Sequence, residues 1–151
     1  MKEINRVIFA SGSGTSRAPM ATAIFHATEH ERPIVCEARG LVVQFPEPLN
    51  QKAEAVLISN GIELKDYYSK QLVDMDFSGN TLVITMEESQ RQKILSEYAN
   101  ATEENTYTLN KLVGDELEVM NPYGGSVQAY GLCYEVLKAS IEKLMKVLEA
   151  N

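Results

Sequence analysis

Residues 7–20, VIFASGSGTSRAPM, run an apolar strand directly into a glycine-bearing loop that opens a helix. No other feature constrains the chain as strongly. The apolar run from Arg6 to Ala10, bounded by glycine, favours a buried strand over a helix. Pro19 falls near the first helical turn, where a missing N–H costs nothing. Small residues in the loop let backbone N–H groups turn inward, and the helix N-terminus adds positive potential. Arg17 can add a planar, bidentate grip on phosphate oxygens. Ser11, Gly12, Ser13, Gly14, Thr15, Ser16 and Arg17 are therefore the expected phosphate-binding residues. Taken alone, the loop also reads as a plain strand-to-helix connection.

The rest of the chain alternates in kind. A helical pattern over 18–30 is expected to break at Pro33, and 34–42 reads as a second strand. Phe45 to Pro48 is a loop, because two prolines suit neither a helix nor a central strand. Asn50 offers an N-cap for the next helix and Gly61 closes it. Ser69 to Phe77 is a short helical or turning stretch. Asn80 to Met86, rich in β-branched residues, is a third strand. Residues 87–99 form an amphipathic helix, 105–112 (NTYTLNKL) reads as a fourth strand, and Met120 to Ser126 is a turn-rich loop. The last helix places Tyr130, Tyr134, Leu137, Ile141, Leu144 and Leu148 on one face, a core stripe. This alternation predicts one α/β domain over 1–151 with a parallel, doubly wound sheet. Ligands of such sheets sit at the C-terminal strand ends, where the glycine loop falls.

Composition narrows the function classes. The formal charge is −7 with no lysine or arginine block, which makes nucleic acid a poor partner. No apolar run approaches the ~18–20 residues needed to span a bilayer, and the N-terminus lacks a signal-like apolar core, so cytoplasmic residence away from membranes is expected. Cys36 and Cys133 lie far apart and outside the loop, which argues against a disulfide framework or a CxxC site; both read as small buried hydrophobes. His26 and His30, at i and i+4 on the expected helix, lack the HExxH pattern, so no metal or other cofactor is expected.

Three motif readings fail. Gly12-x-Gly14-x-x-Arg17 lacks the third glycine of a dinucleotide fingerprint. No lysine is present for a Walker A loop. Ser13 has Ser11 and Thr15 where a nucleophile elbow needs glycines. What does match is a set of three segments in order. VIFASGSGTSRAPMATAIF resembles the strand–loop–helix C-x-G-N-x-C-R-S-P-x-A-E-A-x-F of the low-molecular-weight protein tyrosine phosphatases. GNTLVITMEESQRQKI is similar to their D-x-I-x-x-M-x-x-x-H/Q strand and helix, and MNPYGGSVQAY to their D-P-Y/F-G-G acid loop. The resemblance covers nearly the whole chain. It implies a three-layer sandwich, a four-stranded parallel sheet flanked by helices, in a cytoplasmic monomer or weak dimer.

The resemblance also assigns roles. It places Ser11 at the nucleophilic cysteine and Asn121 at the aspartic acid that protonates the leaving group, with Arg17 as the oxyanion-holding arginine and Pro122 and Tyr123 at the cleft rim. A thiol can be tuned from ~8.5 to ~3.5–7.5 in such a site, whereas a serine hydroxyl stays protonated and has no histidine or lysine beside it. An amide cannot deliver a proton, and losing a general acid removes about 10²–10⁴ in rate. Gly14, Ser16 and Ala18 also depart from the family's loop. Thr15 stands where bacterial relatives acting on phosphoarginine carry a threonine. The expectation is a pseudophosphatase that binds phosphate, a phosphorylated protein or a small phosphoester without efficient turnover. The alternatives are a slow tyrosine or arginine phosphatase, or an interaction domain with an empty loop.

Overall fold

The structure, a computed structural model, describes residues 3–150. Four strands, β1 (Arg6–Ser11), β2 (Val35–Gly40), β3 (Thr81–Thr85) and β4 (Thr106–Thr108), form one all-parallel sheet in the order β2-β1-β3-β4. Helices are α1 (Arg17–Ala27), α2 (Gln51–Ser59), α3 (Glu88–Glu97), α4 (Leu109–Val113) and α5 (Val127–Glu149), with a 3-10 turn at Asp74–Phe77. This is the expected three-layer sandwich.

Alternation along β1 divides the core. Val7 and Phe9 face a large cluster built with α1, α2 and α5, including Phe25, Leu57, Tyr130 and Leu137. Ile8 and Ala10 face a smaller one with Leu72, Phe77, Val83 and Ile94. Both faces of β1 and β3 are thus covered, which is why these strands read as continuous apolar runs. Helix α1 is buried from Arg17 to Phe25, wedged between sheet and α5, and shows no polar stripe. In α5 the six predicted stripe residues are all buried.

Asn50 caps α2 as expected: its Oδ1 accepts from Lys52 N (2.9 Å) and Ala53 N (3.1 Å). Gly61 follows that helix at φ +76°. Three expectations need correction. The helix begun at Arg17 stops at Ala27, well before Pro33, because Thr28 turns extended (ψ 131°) and its N–H closes on Phe25 O at 3.2 Å. His26 and His30 therefore do not share a helical face: His26 Nε2 donates to Cys36 O (3.0 Å) and His30 Nδ1 to Thr28 O (2.9 Å). No group of three or more metal-ligating side chains occurs among the described residues. The segment 105–112 is a strand only over Thr106–Thr108, and its second half is α4. The break has a physical cause: Leu109 is buried in the core shared with α5, and Leu112 and Val113 pack on it at helical spacing.

Candidate functional site

At the C-terminal edge of the sheet, β1 ends at Ser11 and the chain turns through residues 12–16 into α1. The loop is pinned almost entirely through its carbonyls. Leu41 N donates to Ser11 O (3.0 Å) and Gly12 O (2.9 Å), and Val42 N donates to Gly12 O at 3.0 Å. The Tyr67 hydroxyl donates to Gly14 O at 2.5 Å, and Asn50 N donates to Thr15 O at 2.9 Å. Met20 N takes Ser16 O at 3.0 Å. No backbone N–H from Gly12 to Ser16 donates to an acceptor among the described residues. Carbonyls that are held while the neighbouring amides are unspent leave a run of N–H donors free, which is what an anion site requires.

Two glycines make the turn possible. Gly14 sits at φ +73°, and a Cβ there would lie 2.9 Å from Gly40 N. A Cβ at Gly40 would meet Ser13 O at 2.7 Å and Val43 Cγ2 at 2.5 Å. The end of β2 thus lies directly against the loop, and neither glycine can gain a side chain without moving it.

Ser11 lies at the floor, only 4% exposed, and its Oγ accepts from Ala18 N at 3.3 Å in the first turn of α1. Its own hydroxyl hydrogen remains available. Ser13 and Thr15 join their hydroxyls at 2.7 Å across the loop.

Arg17 is buried and clamped from behind. Its Nη2 donates to Glu87 Oε2 at 2.6 Å and its Nη1 to Val119 O at 2.8 Å. The remaining N–H groups of the guanidinium make no hydrogen bond among the described residues. The Val119 contact also brings the 119–126 segment to the loop from across the sequence. Within that segment Asn121 Oδ1 accepts from Tyr123 N at 3.1 Å, closing a turn over the buried Pro122 and leaving the amide Nδ2 as a donor. Tyr123 stands out in solvent at 83% exposure. Lys52, at the start of α2, donates to Gly125 O at 2.5 Å and ties that rim down. On the other side a shallow groove runs from Gly12 and Ser13 past Val42 to Gln90 and Lys93.

Carboxyls on this side are engaged. Glu87 is held by Arg17, and Glu118 Oε2 accepts from Glu88 N at 2.5 Å. Glu88 sits low, at about 2, because Gln92 donates to it, with Thr108, Arg91 and Lys111 adding to the effect. Both cysteines are buried, and burial pushes the Cys133 thiol up to about 11 and Cys36 higher still. Neither is a thiolate near neutral pH.

The structure thus gathers the sequence-predicted loop residues and the Asn121 segment at one edge of the sheet. Glu87, Tyr67 and Gly40 are further parts of the site that sequence reasoning did not single out. An acidic residue just past the end of β3 was the available signal for Glu87. Tyr67, on a distant loop, and Gly40, at the end of β2, gave none.

The family model for low molecular weight phosphotyrosine protein phosphatase matches residues 6–151. The chain belongs to that family. It is 25% identical over 147 residues to a protein-arginine-phosphatase of Geobacillus stearothermophilus, covering 97% of each chain. A solved low molecular weight protein tyrosine phosphatase from T. tengcongensis is 30% identical with a TM-score of 0.87, covering 93% of this chain and 97% of that one. A third likeness, 26% identical with a TM-score of 0.88 and 97% coverage of both chains, is a serine-for-cysteine mutant of the arginine phosphatase YwlE with a phosphorylated active site serine.

Proposed function

We propose that this phosphatase-family chain binds phosphate or a phosphorylated side chain in the loop from Ser11 to Arg17, and that its turnover is impaired or absent. One observation carries the reading: the amides of Gly12 to Ser16 are unspent, while the carbonyls of Gly12, Gly14 and Thr15 are held by Leu41, Val42, Tyr67 and Asn50. Arg17, held by Glu87 and Val119, supplies the fixed positive charge. Ser11 donates from the floor, and Asn121 recognises the ligand without protonating it. Pro122 and Tyr123 form the rim. The impairment follows from Ser11 and Asn121 standing, by the resemblance, at the thiol and carboxylic-acid positions, since neither an unactivated hydroxyl nor an amide does the same chemistry. We place the protein in the cytoplasm as a monomer or weak dimer, where two unpaired cysteines stay reduced.

Isothermal titration of the folded protein with inorganic phosphate and with phosphotyrosine and phosphoarginine peptides tests this. Saturable binding that Arg17→Lys weakens is the expected result. Absence of binding by every phosphorylated probe would sink the reading.

A second reading is a slow phosphomonoesterase working through Ser11. The phosphorylated serine of the YwlE mutant supports it, because a serine in a related active site there carries the phosphoryl group. Turnover of para-nitrophenyl phosphate that disappears in Ser11→Ala decides for it.

A further inference from the structure

We propose that the cavity between α2 and the 62–66 segment binds a small amphipathic amine, a primary ammonium on an aliphatic stem, and that its occupation tightens anion binding at the loop from Ser11 to Arg17. The amine site stands apart from the phosphate reading of that loop, whereas the tightening rests on it.

The cavity opens where the chain leaving α2 folds back on that helix, with Ile62 N closing on Leu57 O at 2.9 Å. Its floor is aliphatic. Leu49 and Leu57 are buried there, Ile62 and Leu64 are half-buried against the main core, and Ile58 lines it while 59% exposed. An aliphatic stem laid on such a floor gains about fourfold in affinity for each methylene it buries. The volume is about 270 Å³. Pockets for drug-sized ligands run from ~300 to 1,000 Å³, so this one suits a single short chain rather than a peptide helix.

Charge sets the head group. Glu54, Glu63 and Asp66 also line the cavity, against Lys65 as the one basic residue of the lining. None of the three carboxylates has a hydrogen-bond or ion-pair partner among the described residues, whereas Glu87, Glu88 and Asp115 are all engaged. Carboxylates this exposed hold a counter-ion only weakly on their own. Above a floor that already holds the stem, they decide which end group is accepted. A neutral or anionic chain of equal length meets the same floor without that match.

The cavity is joined to the loop through two neighbouring residues. Leu49 precedes Asn50, whose N–H holds Thr15 O at 2.9 Å, and Asp66 precedes Tyr67, whose hydroxyl donates to Gly14 O. Asp66 turns the chain there, the one non-glycine residue at positive φ (54°) among the described residues. The two segments are also laced together: Ser69 N donates to Glu47 O at 2.8 Å, Glu47 N donates to Ser69 Oγ at 2.9 Å, and Pro48 bridges Tyr68. A stem held between Leu49 and Leu64 restrains both segments, and with them the two groups that hold the loop carbonyls. The unspent amides are then fixed before the anion arrives. By linkage, the anion raises amine affinity by the same factor.

Amide NMR titration of the folded protein with hexylammonium, hexan-1-ol and hexanoate at matched ionic strength tests the site. Calorimetric titration with inorganic phosphate, with and without saturating hexylammonium, tests the coupling. The expected result is saturable shifts centred on Leu57, Ile62 and Leu64, at least fivefold tighter for the amine than for the alcohol and absent for hexanoate. Joint Glu54→Gln and Glu63→Gln substitution removes that preference, and Ile58→Lys weakens amine binding at least fivefold. Phosphate affinity rises at least threefold with the amine bound, and Tyr67→Phe cuts the gain. Equal affinity for amine and alcohol, shifts centred elsewhere, or tighter binding of a lysine-bearing peptide than of the free amine overturns the proposed ligand. Bound amine with unchanged phosphate affinity overturns the coupling. A folded protein that binds the amine but no phosphate overturns the phosphate reading instead and leaves the amine site standing.

Discussion

Gly14 shows how narrowly one position is set. Its φ of +73° and the 2.9 Å separation of a would-be Cβ from Gly40 N act together. Gly14→Ala is expected to destabilise by about 1–3 kcal/mol and to abolish phosphate binding. Gly114→Ala is the natural comparison, with φ +84° but nothing within 4 Å, and should cost less and leave binding alone. Urea denaturation and phosphate titration of the pair separate the two effects. Tyr67 holds the next link, donating to Gly14 O from a partly buried site. Tyr67→Phe leaves that carbonyl free and should lower stability by about 1 kcal/mol and phosphate affinity several-fold. Tyr68→Phe, at a residue 60% exposed, should change neither.

Legibility from sequence varied from element to element, for physical reasons. The strand–loop–helix at 7–20 was readable because its punctuation is local: glycine, arginine and proline each act within a turn. Asn50 was readable for the same reason, as capping is a contact between neighbours. The 105–112 segment misled because NTYT is β-branched while the burial of Leu109 against α5 is decided in three dimensions. Pro33 misled in the opposite sense, since α1 had already stopped at Ala27. In the site, the residues on the loop itself were visible, but the carbonyl ties from Tyr67 and Leu41 come from other loops and leave no mark on local sequence. The first turn of α3 offers a test at this scale. Glu88 is held at about 2, chiefly by Gln92. A carboxyl lower in the folded than in the unfolded chain stabilises above its unfolded value and loses that contribution as pH falls toward its folded one. Wild type should therefore exceed Glu88→Gln in stability at pH 6, with the gap closing between about pH 4.5 and 2, as measured by denaturant midpoints. The group is partly exposed, so the gap will be small and will shrink in salt.

At the scale of the whole molecule, the sheet divides labour between a thick layer and a thin one. The larger cluster locks α1, α2 and α5 together behind the loop, and Leu137 is fully buried within it. Leu137→Ala should cost about 2–5 kcal/mol, read as a lower melting temperature. The buried charges Arg39 and Asp76, joined at 3.2 Å and shared with Arg6 and Glu37, pin the 3-10 turn to the edge of the sheet on the thin side. The thiols belong to this scale too. Cys36 and Cys133 are sealed at 5% and 0% exposure, and the loop proposed to hold the anion carries hydroxyls rather than a thiol. Thiol-directed reagents therefore find neither cysteine to attack while the protein is folded, and ligand binding should survive them unchanged. Each thiol becomes reactive only when the layer over it opens, so the rate of iodoacetamide capture at the two positions serves as a clock for the molecule's own breathing.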